Sequence, residues 1–383
     1  MKVLFTNNGL ELRAGTEVWV RDVAIALRQQ GLDIAAYSTA LGPVAEELRE
    51  HDIIVVGNLN DLPWKPDVIH GHHHLETMTA LLHFGSVPAI YVCHGVVPWQ
   101  EAPPRHPRIM RYAAVSQLVM DTAVQRHEIP PERTSLLLSF VDLERFRPRP
   151  SLPDRPGRAL LFGNYVTPQF IYPEVLAGCR LCGVELDAVG RGMGNATGHP
   201  EDLLGDYDLV FAVGRSALEA MACGAAVVVC GMTGIGPLVD TSLFDRLRQL
   251  NFGIGCITAE VTAEAVAQRI GRYDAGEATR VVSRVRREAG LDRTVQALLE
   301  LYDEAIAEFG RTPGISGLPD PAAARYLADL TKVVKRLHGR QGRRRREGAR
   351  TNPDPDGHPP QRLPQQARTA EEIVRAWRRG SAH

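Results

Sequence analysis

The chain has 383 residues, 44% of them hydrophobic and 23% charged, with a formal net charge of -1. These are the proportions of a soluble globular protein large enough for two ordinary domains. The six cysteines are scattered through apolar segments, which excludes a disulfide-stapled scaffold and points to a reducing cytoplasm. The charge is uneven: from Arg340 onward eleven arginines stand against five acidic residues, so a modestly acidic body carries a basic tail.

The opening MKVLFTNNG has an apolar run too short for a signal peptide and suited to a first strand at residues 3–5. A polar loop at 7–15 leads to a helix at 16–30, with apolar Val18, Val20, Val23, Ala26 and Leu27 and a closing Gly31. Further strands are expected at 34–37, 53–56, 68–70, 89–92 and 112–115, with helical patterns between several of them. This is a Rossmann-like, mostly parallel α/β domain over 1–150. Prolines and charges at 148–157 mark the boundary.

A second α/β pattern covers 157–310, with strands at 159–162, 185–189, 209–213 and 225–229 and a long helix at 292–309. Cys179 and Cys182 form a C-x-x-C without a second pair; they read as buried thiols on a helix ending near Gly183. Residues 311–383 hold a helical pattern at 322–337 and then a Pro/Gln/Arg-rich stretch expected to be largely disordered beyond Gly339. The four arginines at 343–346 lack interleaved aromatics, so no nucleic-acid partner is expected; contact with acidic lipid is the membrane role the tail leaves open.

Residues 206–239 carry the clearest functional signal. A strand at 209–213 meets Gly214, Ser216 is placed as the N-cap of a helix bearing Glu219, and Gly224 closes it. A valine-rich strand follows, then a loop with Gly231, Gly234, Gly236 and Pro237, where backbone can approach a ligand. Residues 220–239 contain no charge and are long enough to span a bilayer, but four glycines and a proline break them into a buried βαβ unit. No transmembrane segment is expected.

In order along the chain, Arg13-Ala14-Gly15-Thr16-Glu17, Asp67-Val68-Ile69-His70-Gly71-His72, Cys93-His94-Gly95, Ala114-Val115-Ser116 and Val141-Asp142-Leu143-Glu144-Arg145-Phe146 resemble the GT-B glycosyltransferases of the retaining family 4. In the second half, Leu218-Glu219-Ala220-Met221-Ala222-Cys223-Gly224 resembles the nucleotide-binding helix of that family, and Thr233-Gly234-Ile235-Gly236 its following glycine loop. The resemblance implies two Rossmann-like, doubly wound domains facing a central cleft. It also implies retaining transfer of a sugar from a nucleotide diphosphate sugar to an acceptor that the sequence does not name.

The resemblance further implies that Glu219 accepts hydrogen bonds from the ribose hydroxyls and that Thr233 and Gly234 line the nucleotide. A capping box of Ser216 and Glu219 is the bland alternative. Gly15 would let the first loop approach the phosphates, and His94, or the Gly95 backbone, would contact a sugar hydroxyl. No metal or cofactor is implied. Asp206-Tyr207-Asp208 imitates a metal motif, and the cluster His70, His72, His73 and His74 reads as acceptor contact through His72 rather than a metal site.

Three departures stand out. Phe211 occupies the place of a usual sugar-binding glutamate, residues 162–170 lack the usual phosphate-gripping Arg and Lys, and Ser139-Phe140 replaces Asn-Gly. Arg215 and Arg191 are the candidates to restore the missing positive charge. The departures also motivate an alternative: a catalytically weakened relative that binds nucleotide or a partner glycosyltransferase. A nucleotide-sugar epimerase is the third possibility, and the missing G-x-G-x-x-G after the first strand argues against a dehydrogenase.

Overall fold

The computed structural model describes residues 1–312 and, beyond them, Ala324, 327–328, 330–337, Gly339, Thr369, 372–375 and Trp377. The arginine run at 343–346 and the disorder expected beyond Gly339 lie outside the described residues. Two compact units divide the chain. The first holds Met1–Ala113, Ala123–Ser135 and the described residues of Leu298–Arg362; the second holds Ala114–Thr122, Leu136–Ala297 and the described residues of Leu363–His383.

In the first unit, β1 (Lys2–Thr6), β2 (Asp33–Tyr37), β3 (Ile54–Val56), β4 (Val68–Gly71), β5 (Ala89–Cys93), β6 (Ile109–Ala114) and β7 (Thr134–Leu136) form a sheet in the order β3-β2-β1-β4-β5-β6-β7. β1 runs parallel to both β2 and β4, setting Phe5 beside Ala36 on one side and His70 on the other. Val3, Leu4 and Phe5 are all fully buried, because helices cover both faces of a parallel sheet and its strands become unbroken apolar runs. The strand order reverses between β1 and β4, which opens a crevice beyond their carboxyl ends.

Around this sheet lie α1 (Gly15–Gln29), α2 (Pro43–Glu50), α3 (His74–His83) and α4 (Gln117–His127). The inward face of α1 includes Trp19 as well as the expected Val20, Val23 and Leu27. Arg21 is buried with them, its charge met by Asp22 and, at 2.8 Å, by Glu47 of α2.

The second unit contains β8 (Arg158–Phe162), β9 (Glu185–Val189), β10 (Leu209–Ala212), β11 (Ala226–Gly231) and β12 (Gly234–Leu238), ordered β12-β11-β10-β8-β9. The central pairs are parallel, with a second order reversal between β8 and β10. Its helices are α5 (Tyr172–Leu181), α6 (Glu201–Leu204), α7 (Arg215–Ala222), α8 (Phe244–Gln249), α9 (Ala263–Ile270), α10 (Ala275–Glu288) and the start of α11 (Leu291–Arg311). The stretch at 148–157 lies inside this unit, where the Arg149 backbone N–H donates to Cys223 O at 2.9 Å.

Four local expectations are corrected. The glycine loop after β11 is the strand β12, paired antiparallel to β11. Its glycines admit a neighbouring backbone: Gly234 has φ +143°, and a Cβ there would lie 2.2 Å from Ala259 O, while one on Gly236 would lie 2.6 Å from Cys256 O. Ser216 is not an N-cap, because Gly214, at φ 66°, turns the chain into α7 two residues earlier than expected and leaves Arg215 as its first residue. Phe211 is fully buried, packed with Leu161, Leu209 and Val228 in the core of the second unit. At the end of α5, Cys179 is buried but Cys182 is exposed; all six thiols are free. Among the described residues no helix is long and apolar enough to cross a membrane.

Candidate functional site

The carboxyl ends of β4 and β5, with α1 and α11, bring five aromatic side chains of the first unit together. His70 and His72, two residues apart and so on one face, stack with centroids 4.6 Å apart. His70 Nδ1 lies 2.5 Å from the Tyr302 hydroxyl of α11, and His72 Nδ1 lies 2.7 Å from His94 Nε2. Trp19 stands edge-on to His70, His72 and His94, at 5.6, 5.0 and 5.3 Å. Both inner imidazoles are fully buried. Burial, reinforced by the neighbouring histidines, holds His70 and His72 well below the ordinary imidazole range, so both are neutral.

His73 faces a different set of partners. Its Nδ1 accepts the Asn8 N–H at 3.0 Å, tying the end of β4 to the end of β1, and its Nε2 lies 3.8 Å from Glu101 Oε1. Burial pushes the Glu101 carboxyl up, but His73, His94 and the His94 backbone N–H outweigh it and hold the group below the usual carboxylate range. An ionised Glu101 therefore anchors the turn that carries His94 and Gly95. On the same unit Lys335 reaches the Asn8 carbonyl, Thr39 Oγ1 at 2.8 Å and the buried Glu76 Oε1 at 2.6 Å.

In the second unit the crevice between the ends of β8 and β10 is flanked by Gly214 and Arg215. Arg215 Nε donates to Glu219 Oε1 at 2.8 Å, one helical turn on, and the guanidinium lies 5.2 Å from the centroid of the Phe140 ring. Both members of the pair are nearly buried, with side chains 13% and 9% exposed. A carboxylate and a guanidinium thus sit together on the first two turns of α7, where the helix dipole favours anions. Beyond β8, where the expected cations are missing, the half-buried Tyr165 ring fills the loop and its hydroxyl donates to Cys230 O.

Residues 58–145, which include His70, His72, His73, His94 and Glu101, match the family model Glycosyltransferase Family 4. The chain is a GT-B-fold glycosyltransferase. A glycosyltransferase structure from Rickettsia africae is similar to it with a TM-score of 0.59 at 15% identity, over 80% of this chain and 98% of the other. HepE from Anabaena, solved with UDP and glucose, is similar with a TM-score of 0.60 at 16% identity, over 79% of this chain and 99% of the other. No curated protein matches the sequence.

The glycosyltransferase places its sequence-predicted residues unevenly. His94 is half-buried at the end of β5, and Glu219 and Arg215 are paired on α7. Gly15 is exposed as the first residue of α1, with nothing within 4 Å of where a Cβ would stand. Arg191 is exposed in a 3-10 turn, held through its backbone N–H by Asn164 Oδ1. Thr233 and Gly234 lie at the start of the edge strand β12, where Gly234 pairs with Gly231, itself beside Val213 just before the turn into α7.

His72 is fully buried, which removes the expected direct contact with an acceptor. Asp208 accepts the Gly157 and Arg158 N–H groups and pairs with Arg149 at 2.9 Å, a structural role that explains its place before β10. Trp19, Glu101 and Tyr302 were missed. Trp19 carried the only signal, one position from the apolar stripe of α1; Tyr302 meets His70 across 232 residues and Glu101 sits in a short 3-10 turn.

Proposed function

We propose that the glycosyltransferase takes its sugar from a nucleotide diphosphate donor bound at the N-terminal end of α7, with retention and without a metal. The observation that carries this is the Arg215–Glu219 pair beside the β8/β10 crevice. A ribose diol supplies donors for the Glu219 carboxylate, while the diphosphate supplies acceptors for the planar guanidinium of Arg215. The positive end of α7 adds to the field on the leaving diphosphate, whose charge grows as the sugar departs. HepE was solved with UDP and glucose, which makes UDP-sugars the first donors to try.

His94 is assigned to a sugar hydroxyl, through its ring or through the Gly95 N–H, on a turn fixed by Glu101. The binding-only alternative keeps its first support, because Phe211 is a core residue and offers no carboxylate to a sugar. Its other support stands, since Tyr165 fills the loop where cations were expected. The exposed Arg191 offers a second cation for the diphosphate, and the protein is placed in the cytoplasm, with the basic tail available to acidic lipid.

Calorimetric titration with UDP and with uridine tests the donor site. Arg215→Lys should weaken UDP binding about tenfold, the loss of one charge-assisted hydrogen bond, and leave uridine nearly unchanged. Glu219→Gln should weaken both. Equal losses for the two ligands in Arg215→Lys would refute the assignment of Arg215 to the diphosphate. UDP release from UDP-glucose and related donors separates turnover from binding alone.

A further inference from the structure

His72 is fully buried, its Nδ1 is engaged by His94, and its Nε2 is buried with no hydrogen-bond partner among the described residues. A neutral imidazole carries one N–H, so only two arrangements exist. With the proton on Nε2, a buried N–H points at nothing. With it on Nδ1, the proton is donated to His94 Nε2 and only a lone pair is left unmatched. Buried orphan donors are rarer in folded proteins than under-used acceptors, which selects the second arrangement. His94 Nε2 must then be the acceptor, and the neutral His94 ring carries its own proton on Nδ1.

We infer that His72 is a positioning residue that locks His94 as the Nδ1–H tautomer, making it a neutral hydrogen-bond donor and not a base at Nε2. For His94 to take a proton at Nε2, the His72 proton would have to move to its buried, unpartnered Nε2. The stack of Phe5, His70 and His72, closed edge-on by Trp19, prevents the His72 ring from turning to find another partner. His94 would then donate from Nδ1 to a sugar hydroxyl without competing for the proton. The inference rests on the assignment of His94 to the sugar.

Long-range 1H–15N spectra of the full chain labelled at histidine test it, with His72→Phe and His94→Gln assigning the signals. The expected result is Nδ1–H for both His72 and His94. His72→Asn, whose amide N–H can replace the Nδ1 donor, should keep the His94 tautomer and a kcat for UDP release from UDP-glucose within about threefold. His72→Phe should free the His94 tautomer and lower kcat about tenfold with KM for the donor unchanged.

An Nε2–H signal on His94 in the unaltered protein would overturn the inference. So would an Nε2–H on His72, satisfied by the Trp19 ring face, or a His72→Phe protein with unchanged tautomer and kcat. If His72→Phe does not fold, the unaltered protein and His72→Asn still decide. Full activity in His94→Gln would instead sink the sugar contact while leaving the tautomer result standing.

Discussion

Acidification should loosen the first unit before it touches the carboxylates. His70 and His72 are fully buried and neutral, their folded pKa values held well below 6.5 by burial. Between those values and 6.5 the unfolded chain binds the more protons, so stability is complete above pH 6.5 and falls as the pH drops. At pH 5.5 each histidine costs on the order of 1 kcal/mol and the pair on the order of 3 kcal/mol, a large share of the roughly 5–15 kcal/mol typical of a domain. Two compact units make a single global melt a poor measure, so a local probe is needed.

The His72 amide, bonded to Thr6 O at 3.2 Å between β4 and β1, supplies that probe. Corrected for intrinsic exchange, its opening constant should rise about a hundredfold between pH 7.5 and 5.5. His70→Phe, which keeps a flat ring against Phe5, should remove about half of the effect in free energy. An unchanged acid response in that variant, or no response in the unaltered protein, would refute the claim that these rings stay neutral.

Three further outcomes follow from packing and charge. Gly234→Ala should destabilise the second unit by about 2–4 kcal/mol, because its Cβ would meet Ala259 O at 2.2 Å; near-normal protection of β11 amides would show that β12 shifts to make room. Asp208→Ala removes the acceptor of two backbone N–H groups and the partner of Arg149, costing about 2–4 kcal/mol in the same unit by denaturant titration. Lys335→Met strips the partner from Glu76, whose side chain is 1% exposed, and should cost about 3–5 kcal/mol; adding Glu76→Gln should restore most of it. No recovery in the double variant would mean that Lys335 acts through Asn8 and Thr39 instead.

Much of the fold was legible because strands and helices write themselves in local period. Every sheet strand expected from the apolar runs is present within about three residues, including β9 at its stated bounds, and α11 matches the expected long helix. The exceptions turn on glycine. A cluster of glycines at 231–236 reads equally as a ligand loop or as an edge strand pressed against another backbone, and only the Ala259 and Cys256 carbonyls distinguish the two. Gly214 likewise displaced the start of α7, because a left-handed turn can replace a side-chain cap.

The candidate site was legible in part. Glu219 and His94 could be named because their motifs are short and continuous in sequence, and Arg215 because it directly precedes the expected N-cap; the structure pairs Arg215 with Glu219. Phe211 was matched in sequence to a sugar-binding position, but it stands in β10, where Leu209, Val210 and Ala212 are fully buried as well because helices cover both faces of a parallel sheet.

By itself, then, the sequence determined two α/β halves and the nucleotide-type helix α7, since these depend on apolar period, turn residues and continuous motifs. Tertiary structure alone decided the partners: Arg215 on Glu219, Glu101 beneath His94, Tyr302 on His70, and His72 behind His94. Hydrogen-bonding atoms must come within about 3 Å whatever their separation in the chain, and that distance is set by how the elements pack.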